Sequence, residues 1–158
     1  MNSQRKCPTC GNRGTLTNGT TELRSTVGPR VFAAVVPAEV CSNCGEALVI
    51  GAVLGAFEQA RALALIEAGA SDGAALRWVR KAARLKAAEL AELLGVAPET
   101  ISRWENDVQR PDRAAVALLG ALAFDAIRGT TTTRDRLAAM ASASPPSSDV
   151  VTLHVHAA

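Results

Sequence analysis

The chain has 158 residues, of which 48% are hydrophobic and only 3% aromatic, so it can hold one ordinary domain or two small ones with cores built from Ala, Leu and Val. Its net charge of +2 is too small to indicate a nucleic-acid partner by itself. No run of about 18 apolar residues predicts a membrane span, and the start MNSQRKCPTC lacks the apolar core of a secretion signal, which argues against an exported protein and favours the cytoplasm.

Two matching cysteine pairs, CPTCG at residues 7–11 and CSNCG at residues 41–45, are separated by 30 residues. Two residues between cysteines let both thiolates reach one ion, and the glycine after each pair permits a turn that points backbone N–H groups at the sulfurs. Four thiolates suit tetrahedral zinc with no open coordination position. We therefore expect one structural zinc ion per chain, with the ligands Cys7, Cys10, Cys41 and Cys44. The alternative, a redox-active CxxC motif, requires a thioredoxin-like βαβ context that this sequence lacks.

The residues between the two cysteine pairs predict a small antiparallel sheet. Asn18-Gly19, flanked by threonine-rich segments, is a strong signal for a two-residue hairpin turn. Gly28-Pro29 breaks the chain, and the apolar, β-branched run from Arg30 to Val36 predicts a third strand. Residues 1–50 are thus expected to form a β module that needs the metal, because it is too small to bury an adequate core alone. Removal of the metal is expected to unfold this module and leave the rest of the chain folded.

Residues 51–73 predict a helix followed by a linker. The helix, Gly51 to Ala68, carries one apolar stripe formed by Val53, Leu54, Phe57, Ala60, Ala64 and Leu65. Packing against the sheet explains this stripe most simply, and a partner-binding helix is the alternative. The sequence GASDG at residues 69–73 predicts a short, flexible domain boundary.

Ala74 to Arg84 predicts the first helix of a second, all-α domain that spans residues 74–128. Its basic residues recur at helical spacing and form one stripe: Arg77, Arg80, Lys81 and Arg84. A charged stripe is usually a solvated face. Beside a helix that reads DNA, however, it is well placed to neutralise phosphates without reading sequence.

The stretch from Leu85 to Pro111 predicts two short helices joined by a tight turn. Leucines and alanines at helical spacing give the first helix an apolar stripe, and Gly95 suits its C-terminal end. Glu99, Arg103 and Asn106 share the outward face of the second helix. Such a face suits the major groove of DNA. The alternative is an ordinary helical hairpin with a solvated polar face.

The same stretch resembles the Cro/repressor-like, or XRE, helix-turn-helix. The matching residues are Leu90-Ala91, Leu94-Gly95-Val96, Ile101-Ser102-Arg103-Trp104-Glu105 and Arg110-Pro111. Two positions depart from the family's pattern. Ala87 lies where a DNA-contacting glutamine is common, and Ala97 lies where Ser or Thr usually caps the recognition helix, a loss of about 1 kcal/mol.

The outward face and this resemblance together predict two sets of DNA contacts. The expected base contacts are Glu99, Thr100, Arg103 and Asn106. The expected phosphate contacts are Arg77, Arg80, Lys81, Arg84, Lys86, Ser102 and Arg110. The resemblance gives Arg80 a second role, because an arginine on this helix commonly pairs with the glutamate that corresponds to Glu105.

The helix expected after Pro111 runs to about Ile127 and has more apolar surface than a small helical core can bury. The surplus predicts a two-fold homodimer through the helical domain, as repressors of this type usually form. Residues 129–158 predict a mostly disordered tail with one short helix at Arg134–Met140. Val151, Leu153 and Val155 alternate with polar residues as in a strand, and the nearby histidines have no partner ligands around them.

The segment VVPAEVCSNCGEALV with the upstream CPTCG, followed by the predicted helix-turn-helix, resembles the MqsA/YgiT-type antitoxins. The resemblance covers roughly residues 5–128 and implies an α+β protein, in which a small zinc-clamped antiparallel β module precedes an all-α helix-turn-helix domain. It also implies an autoregulating repressor that binds a palindromic operator in double-stranded DNA, with the zinc module holding a toxin.

A protein-interaction zinc module without a dedicated operator is the alternative to a repressor. An enzyme is not expected, because no Ser/His/Asp set is visible and the four cysteines are committed to a metal.

Overall fold

The structure is a computed structural model that describes residues 5–143, and it confirms the predicted α+β class. A three-stranded antiparallel sheet in the order β1-β2-β3 precedes six helices in the described part of the chain. The strands are β1 Leu16–Val27, β2 Arg30–Cys41 and β3 Ala47–Leu48. The helices are α1 Gly51–Glu67, α2 Gly73–Ala82, α3 Ala87–Leu94, α4 Pro98–Glu105, α5 Arg113–Arg128 and α6 Thr132–Ser142.

β1 and β2 form a long two-stranded ribbon. They pair without interruption from Leu16 opposite Cys41 to Val27 opposite Arg30, and twelve residues per strand span roughly 40 Å. The two-residue turn between them is Gly28-Pro29, where Gly28 has φ +57°. A glycine with positive φ at the first central position suits a hairpin turn that follows the twist of the strands. The ribbon therefore runs from the cysteine pairs at one end to this turn at the other.

The predicted hairpin turn at Asn18-Gly19 is wrong, because these residues lie inside β1, opposite Glu39 and Ala38. A turn there would leave only residues 15–17 for the preceding strand. A turn at Gly28 instead permits the full ribbon and places its buried residues, such as Val27 and Val36, on one face. Packing explains the glycine at position 19, because a Cβ there would lie 3.0 Å from Val40 Cγ2.

The main core lies among the helices and includes the turn end of the ribbon. Val27 belongs to the same buried cluster as Leu65, Leu76, Ile101 and Leu119. α1 packs against α2, α5 and β2, so it contacts the other helices as well as the sheet. Its predicted stripe is only partly correct. Leu65 is buried, but Arg61 and Ala62 are also buried whereas Ala60 and Ala64 are exposed.

The segment at residues 69–73, predicted to be a flexible linker, is held by side-chain contacts on both sides. The Asp72 carboxylate caps α2 by accepting from Ala75 N at 3.2 Å and pairs with Arg30 of β2 at 2.5 Å. The backbone N–H of Gly73 donates to Asp107 Oδ1 at 2.7 Å. The β module and the helices are therefore joined by specific contacts and not by a loose connection.

α6 is formed by residues of the segment predicted to be a mostly disordered tail, and it is longer than the short helix expected there. The Asp125 carboxylate of α5 accepts from Thr133 N at 2.7 Å, and Leu137 packs against the core. A helix is thus present where the short helix was predicted, and it extends over residues 132–142. The strand-like alternation at 151–155 and the two histidines lie outside the described residues. None of the helices within residues 5–143 is long and apolar enough to cross a membrane.

Candidate metal centre and nucleic-acid interface

The four cysteines meet at the end of the ribbon that lies far from the helical core. All four sulfur atoms lie within 4.8 Å of one another, and the Sγ–Sγ distances are 3.7 Å for both Cys7–Cys44 and Cys10–Cys41. Cys7 and Cys41 are buried, whereas Cys44 is exposed. The predicted ligand set is therefore brought together in space.

Each cysteine pair sits on the same kind of turn, which is why the two sequence motifs match. Gly11 N donates to Cys7 O at 2.9 Å, and Gly45 N donates to Cys41 O at 2.8 Å. Both glycines have positive φ, +75° and +76°, a conformation that a residue with a Cβ adopts at a cost. The glycines thus close the two turns that point the sulfurs toward one another.

The electrostatics of the cluster favour a bound cation. A hydrogen bond with the Thr15 hydroxyl is the largest cause that lowers the pKa of Cys41 to about 6, and the backbone N–H groups of Cys44 and Asn43 act in the same direction. The Glu46 backbone lowers the pKa of Cys44, but burial and the hydrogen bonds with the other three thiols raise it to about 12. One thiolate therefore opposes the ionisation of the next, and a divalent cation would remove that repulsion.

The geometry of the cluster fits a tetrahedral metal. With metal–sulfur bonds of about 2.3 Å, tetrahedral zinc places its sulfur ligands about 3.8 Å apart. The observed 3.7 Å distances agree with this spacing and are too long for a disulfide bond, which is about 2.05 Å. Since no Sγ–Sγ distance exceeds 4.8 Å, the four cysteines can hold one metal ion after small side-chain adjustments.

α3 and α4 form the second candidate site, joined by the turn Gly95–Ala97. Gly95 has φ +65° and ends α3 in the left-handed conformation, and Pro98 begins α4. Ile101 and Trp104 are buried against the core, which turns the opposite side of α4 outward. The sequence predicted these features because they depend on neighbouring residues.

A network of ion pairs attaches α4 to α2. Glu105, at the end of α4, pairs with Arg80 Nε at 2.5 Å and with Arg77 Nε at 3.2 Å. Arg80 Nη1 also donates to Leu85 O at 2.8 Å. Burial raises the pKa of Glu105, but the hydrogen bonds from Arg80 and Arg77 outweigh it and lower the pKa below its ordinary value. Of the two roles considered for Arg80, the structure places it in the pair with Glu105.

The family model for MqsA, described as the antitoxin component of a bacterial toxin–antitoxin system, matches residues 5–124. The chain belongs to the MqsA antitoxin family. The match spans both candidate sites, from the first cysteine pair to α5. No curated protein and no solved structure shows a significant match.

The predicted base contacts of this MqsA-family antitoxin lie along α4 but differ in their surroundings. Glu99 and Arg103 are exposed, and Thr100 is half-buried. Asn106 follows the last turn, where its amide Nδ2 donates to Ser102 O at 2.8 Å and its Oδ1 accepts from Arg77 Nη2 at 3.2 Å. The amide of Asn106 thus already bonds within the antitoxin.

The predicted phosphate contacts of the antitoxin do not form one surface. Arg77 and Arg80 turn toward α4, whereas Lys81 and Arg84 line a groove beside α1 and the end of α5. Lys86 precedes α3, Ser102 lies on α4, and Arg110 follows it, and all three are exposed. The basic stripe read from the sequence is therefore divided between the two sides of α2.

Two arginines of the antitoxin with clear structural roles were not identified from the sequence. Arg61 is 5% exposed, with its guanidinium 4.2 Å from the centroid of the Trp78 ring and 4.8 Å from that of Phe57. Arg30 pairs with Asp72. Neither role could be read locally, because Asp72 and Trp78 come from distant parts of the chain. Only Phe57, one turn before Arg61 on α1, is a local partner.

Proposed function

We propose that this MqsA-family antitoxin is a sequence-specific, DNA-binding transcriptional repressor that acts as a cytoplasmic homodimer and regulates its own operator. The observation that carries the proposal is α4, whose outward face presents Glu99 and Arg103 while its inner face is fixed by Glu105. A short, rigidly held helix with exposed polar groups suits the major groove. The family assignment favours such a regulatory protein over an enzyme.

In this proposal α4 is the recognition helix and Arg103 is its main base contact. The forked guanidinium of arginine matches the O6 and N7 acceptors of guanine. Glu99, one turn earlier, either accepts from a cytosine N4 or orients Arg103, and Thr100 adds a hydroxyl to the same face. Asn106 lies beside these residues. It adds a fourth base contact when the DNA displaces its hydrogen bond with Arg77.

Phosphate contacts are proposed for the exposed cationic and hydroxyl groups around α4. Lys86, Ser102 and Arg110 are exposed close to the recognition helix in the chain. Lys81 lies at the end of α2 and Arg84 just after it, on the side away from α4. They would contact phosphates outside the stretch of major groove that α4 occupies. Arg77 and Arg80 hold α4 in place and contribute their charge to the local field.

One zinc ion per chain is proposed for the four cysteines. Thiolate ligands favour zinc, and a site closed by Cys7, Cys10, Cys41 and Cys44 leaves no coordination position for a substrate. The metal would then have a structural role. It would fix the two cysteine turns at the end of the ribbon, where the sheet has little core of its own.

The homodimer is proposed to form along α5. A groove of about 660 Å³ lies beside Val116, Ala117 and Gly120, and Phe124 is 39% exposed at its side. Ala117 is small and exposed, which permits the close approach of a second helix, so a second copy of α5 fits this face. Light scattering that gives the mass of a monomer at micromolar concentration would contradict this arrangement.

The toxin is proposed to bind the outer face of the ribbon. Val31 and Val35 of β2 are 63% and 73% exposed, and they share that face with Ala33 and Pro37. β1 is an edge strand of the sheet, so its backbone can also pair with an added strand. The double variant Val31→Asp, Val35→Asp should abolish binding of the cognate toxin and preserve operator binding. Retained toxin binding would show that the toxin binds a different surface.

The DNA-binding proposal is tested with Arg103→Ala. Footprinting on DNA upstream of the antitoxin's own gene defines the operator, and titrations then compare it with a scrambled duplex at several salt concentrations. We expect Arg103→Ala to weaken operator binding by about 1–3 kcal/mol and to change scrambled binding little. The matched control, Lys86→Ala, should weaken both duplexes and lower the salt slope by about one.

Equal weakening of both duplexes by Arg103→Ala would make Arg103 a phosphate contact and exclude α4 as the recognition helix. A wild-type protein that binds toxin but protects no DNA would instead support the second candidate, a protein-interaction module without an operator.

A further inference from the structure

The turn end of the ribbon packs directly onto the first turn of α2. Arg30 Nη1, in the first residue of β2, lies 2.5 Å from Asp72 Oδ2. A Cβ at Gly28 would lie 2.8 Å from Asp72 Oδ1 and 3.3 Å from the Cβ of Ala74. The turn is therefore in close contact with the residue that caps α2, and the arginine fixes that carboxylate from the ribbon side.

The first turn of α2 in turn packs onto the last turn of α4. A Cβ at Gly73 would lie 2.5 Å from Glu105 O and 2.9 Å from Trp104 O, so the two backbones touch. The Gly73 N–H donates to Asp107 Oδ1 at 2.7 Å. Arg77, one turn further along α2, donates to Glu105 O at 3.1 Å. The C-terminal end of α4 is thus held by the N-terminal half of α2 through backbone as well as side-chain atoms.

A second contact ties the ribbon to α2 farther along. The buried guanidinium of Arg61 donates to the Ser25 hydroxyl of β1 and covers the Trp78 ring of α2 at 4.2 Å. Its carboxylate partner, Glu58, is 3.9 Å away and largely exposed. Arg61 therefore bridges the ribbon and α2 through direct contacts with both.

We infer that Arg30 of the β module is a positioning residue for α4, acting through Asp72 and the first turn of α2. The inference rests on the proposed DNA-binding function and deepens it, because it makes the β module part of what orients the recognition helix. Arg30 does not touch the base-reading face. It limits the rotation of α2, and α2 limits the position of α4.

The test compares Arg30→Met with a matched control, Arg24→Met. Arg24 lies on the same ribbon and loses the same charge, but its side chain is 68% exposed and pairs with Glu22 of its own strand. Asp72→Asn is the reciprocal variant, since asparagine still caps a helix while losing the charged partner of Arg30. The affinities for operator and scrambled duplex are measured for each variant and for the Arg30→Met, Asp72→Asn double variant.

We expect Arg30→Met and Asp72→Asn each to lower operator affinity about two- to fivefold relative to Arg24→Met, the range expected for one partly exposed ion pair. Scrambled-duplex affinity should match that of the control. The double variant should lose no more than either single variant, because the two residues act through one contact. Operator binding equal to that of Arg24→Met would overturn the inference.

Amide hydrogen exchange in the absence of DNA gives a second, independent measurement. Arg30→Met should speed exchange of the Gly73, Asn106 and Asp107 amides several-fold and leave amides of the core, such as that of Ala123, unchanged. A uniform increase would mean that Arg30 only stabilises the whole fold. If the wild type does not discriminate between the duplexes, the repressor function fails, and the exchange result still decides whether Arg30 positions α4.

Discussion

At the scale of single residues, the charges of α2 and α4 have separate tasks. Glu105 is nearly buried and receives hydrogen bonds from both Arg77 and Arg80, so these arginines act first on the protein's own structure. Arg103 is exposed on the other side of α4, where we propose that it contacts a base. Arginines on two neighbouring helices thus differ in their surroundings, since those of α2 stabilise the helix pair and that of α4 faces solvent.

Glu105→Gln should lower the free energy of unfolding by about 1.5–3 kcal/mol at pH 7, the range for hydrogen bonds to a charged group. The pKa of Glu105 is lowered in the folded state, so its ionised form stabilises the fold above the unfolded pKa, and this stabilisation is lost as the pH falls through the lower folded value. Urea unfolding at pH 7 and at successively lower pH values measures the difference between wild type and variant.

The difference between wild type and Glu105→Gln should therefore shrink on acidification. A difference that stays constant from pH 7 to pH 3 would show that the carboxylate charge is not what holds α4.

At the scale of elements, contacts at helix ends decide how the helices are arranged. Gly51 and Gly73 are each the first residue of a helix, but only Gly73 has no room for a side chain. A Cβ there would lie 2.5 Å from Glu105 O, whereas nothing lies within 4 Å of a Cβ at Gly51. The two glycines look equivalent in the sequence and differ only through packing.

Gly73→Ala should destabilise the protein by about 2–3 kcal/mol, because the new methyl group forces α2 and α4 apart. Gly51→Ala, the matched control, should be neutral or stabilising by up to about 1 kcal/mol. Thermal and urea unfolding measure both variants. Equal effects would show that α2 and α4 do not approach as closely as described.

At the scale of the whole molecule, the ribbon connects the metal centre with the helical core. Its cysteine end carries the four clustered cysteines, while its turn end shares a core with α1 and α2 through Val27. The sequence predicted that the entire β module would unfold on metal removal. The shared core instead leads us to expect that the two ends respond differently.

Elemental analysis should give one zinc ion per chain, and a value near zero would exclude the metal centre. Chelation should then abolish amide protection around the cysteine turns and β3 but preserve it around Val27 and Phe32, which pack on the helices. Hydrogen exchange before and after chelation measures this. Loss of amide protection along the whole ribbon would show instead that the β module unfolds as one unit when the metal is removed.

The sequence by itself determined the features that depend on neighbouring residues. The two CxxCG turns identified the four cysteines that cluster in the structure, since two intervening residues and a glycine suffice to aim a pair of thiolates. The apolar period, Gly95 and Pro98 similarly identified α3 and α4. The α+β class and the order of the two parts followed from these local patterns.

Only the tertiary structure decided which of two good turn signals closes the ribbon, and that the short helix predicted in the tail packs on the core. It also decided that Arg77 and Arg80 bond to Glu105 and that Arg30 and Arg61 join the ribbon to α2. The physical reason is the same in each case. The free energy of these contacts depends on partners that are distant in sequence, and local propensity holds no information about which partner a residue meets after folding.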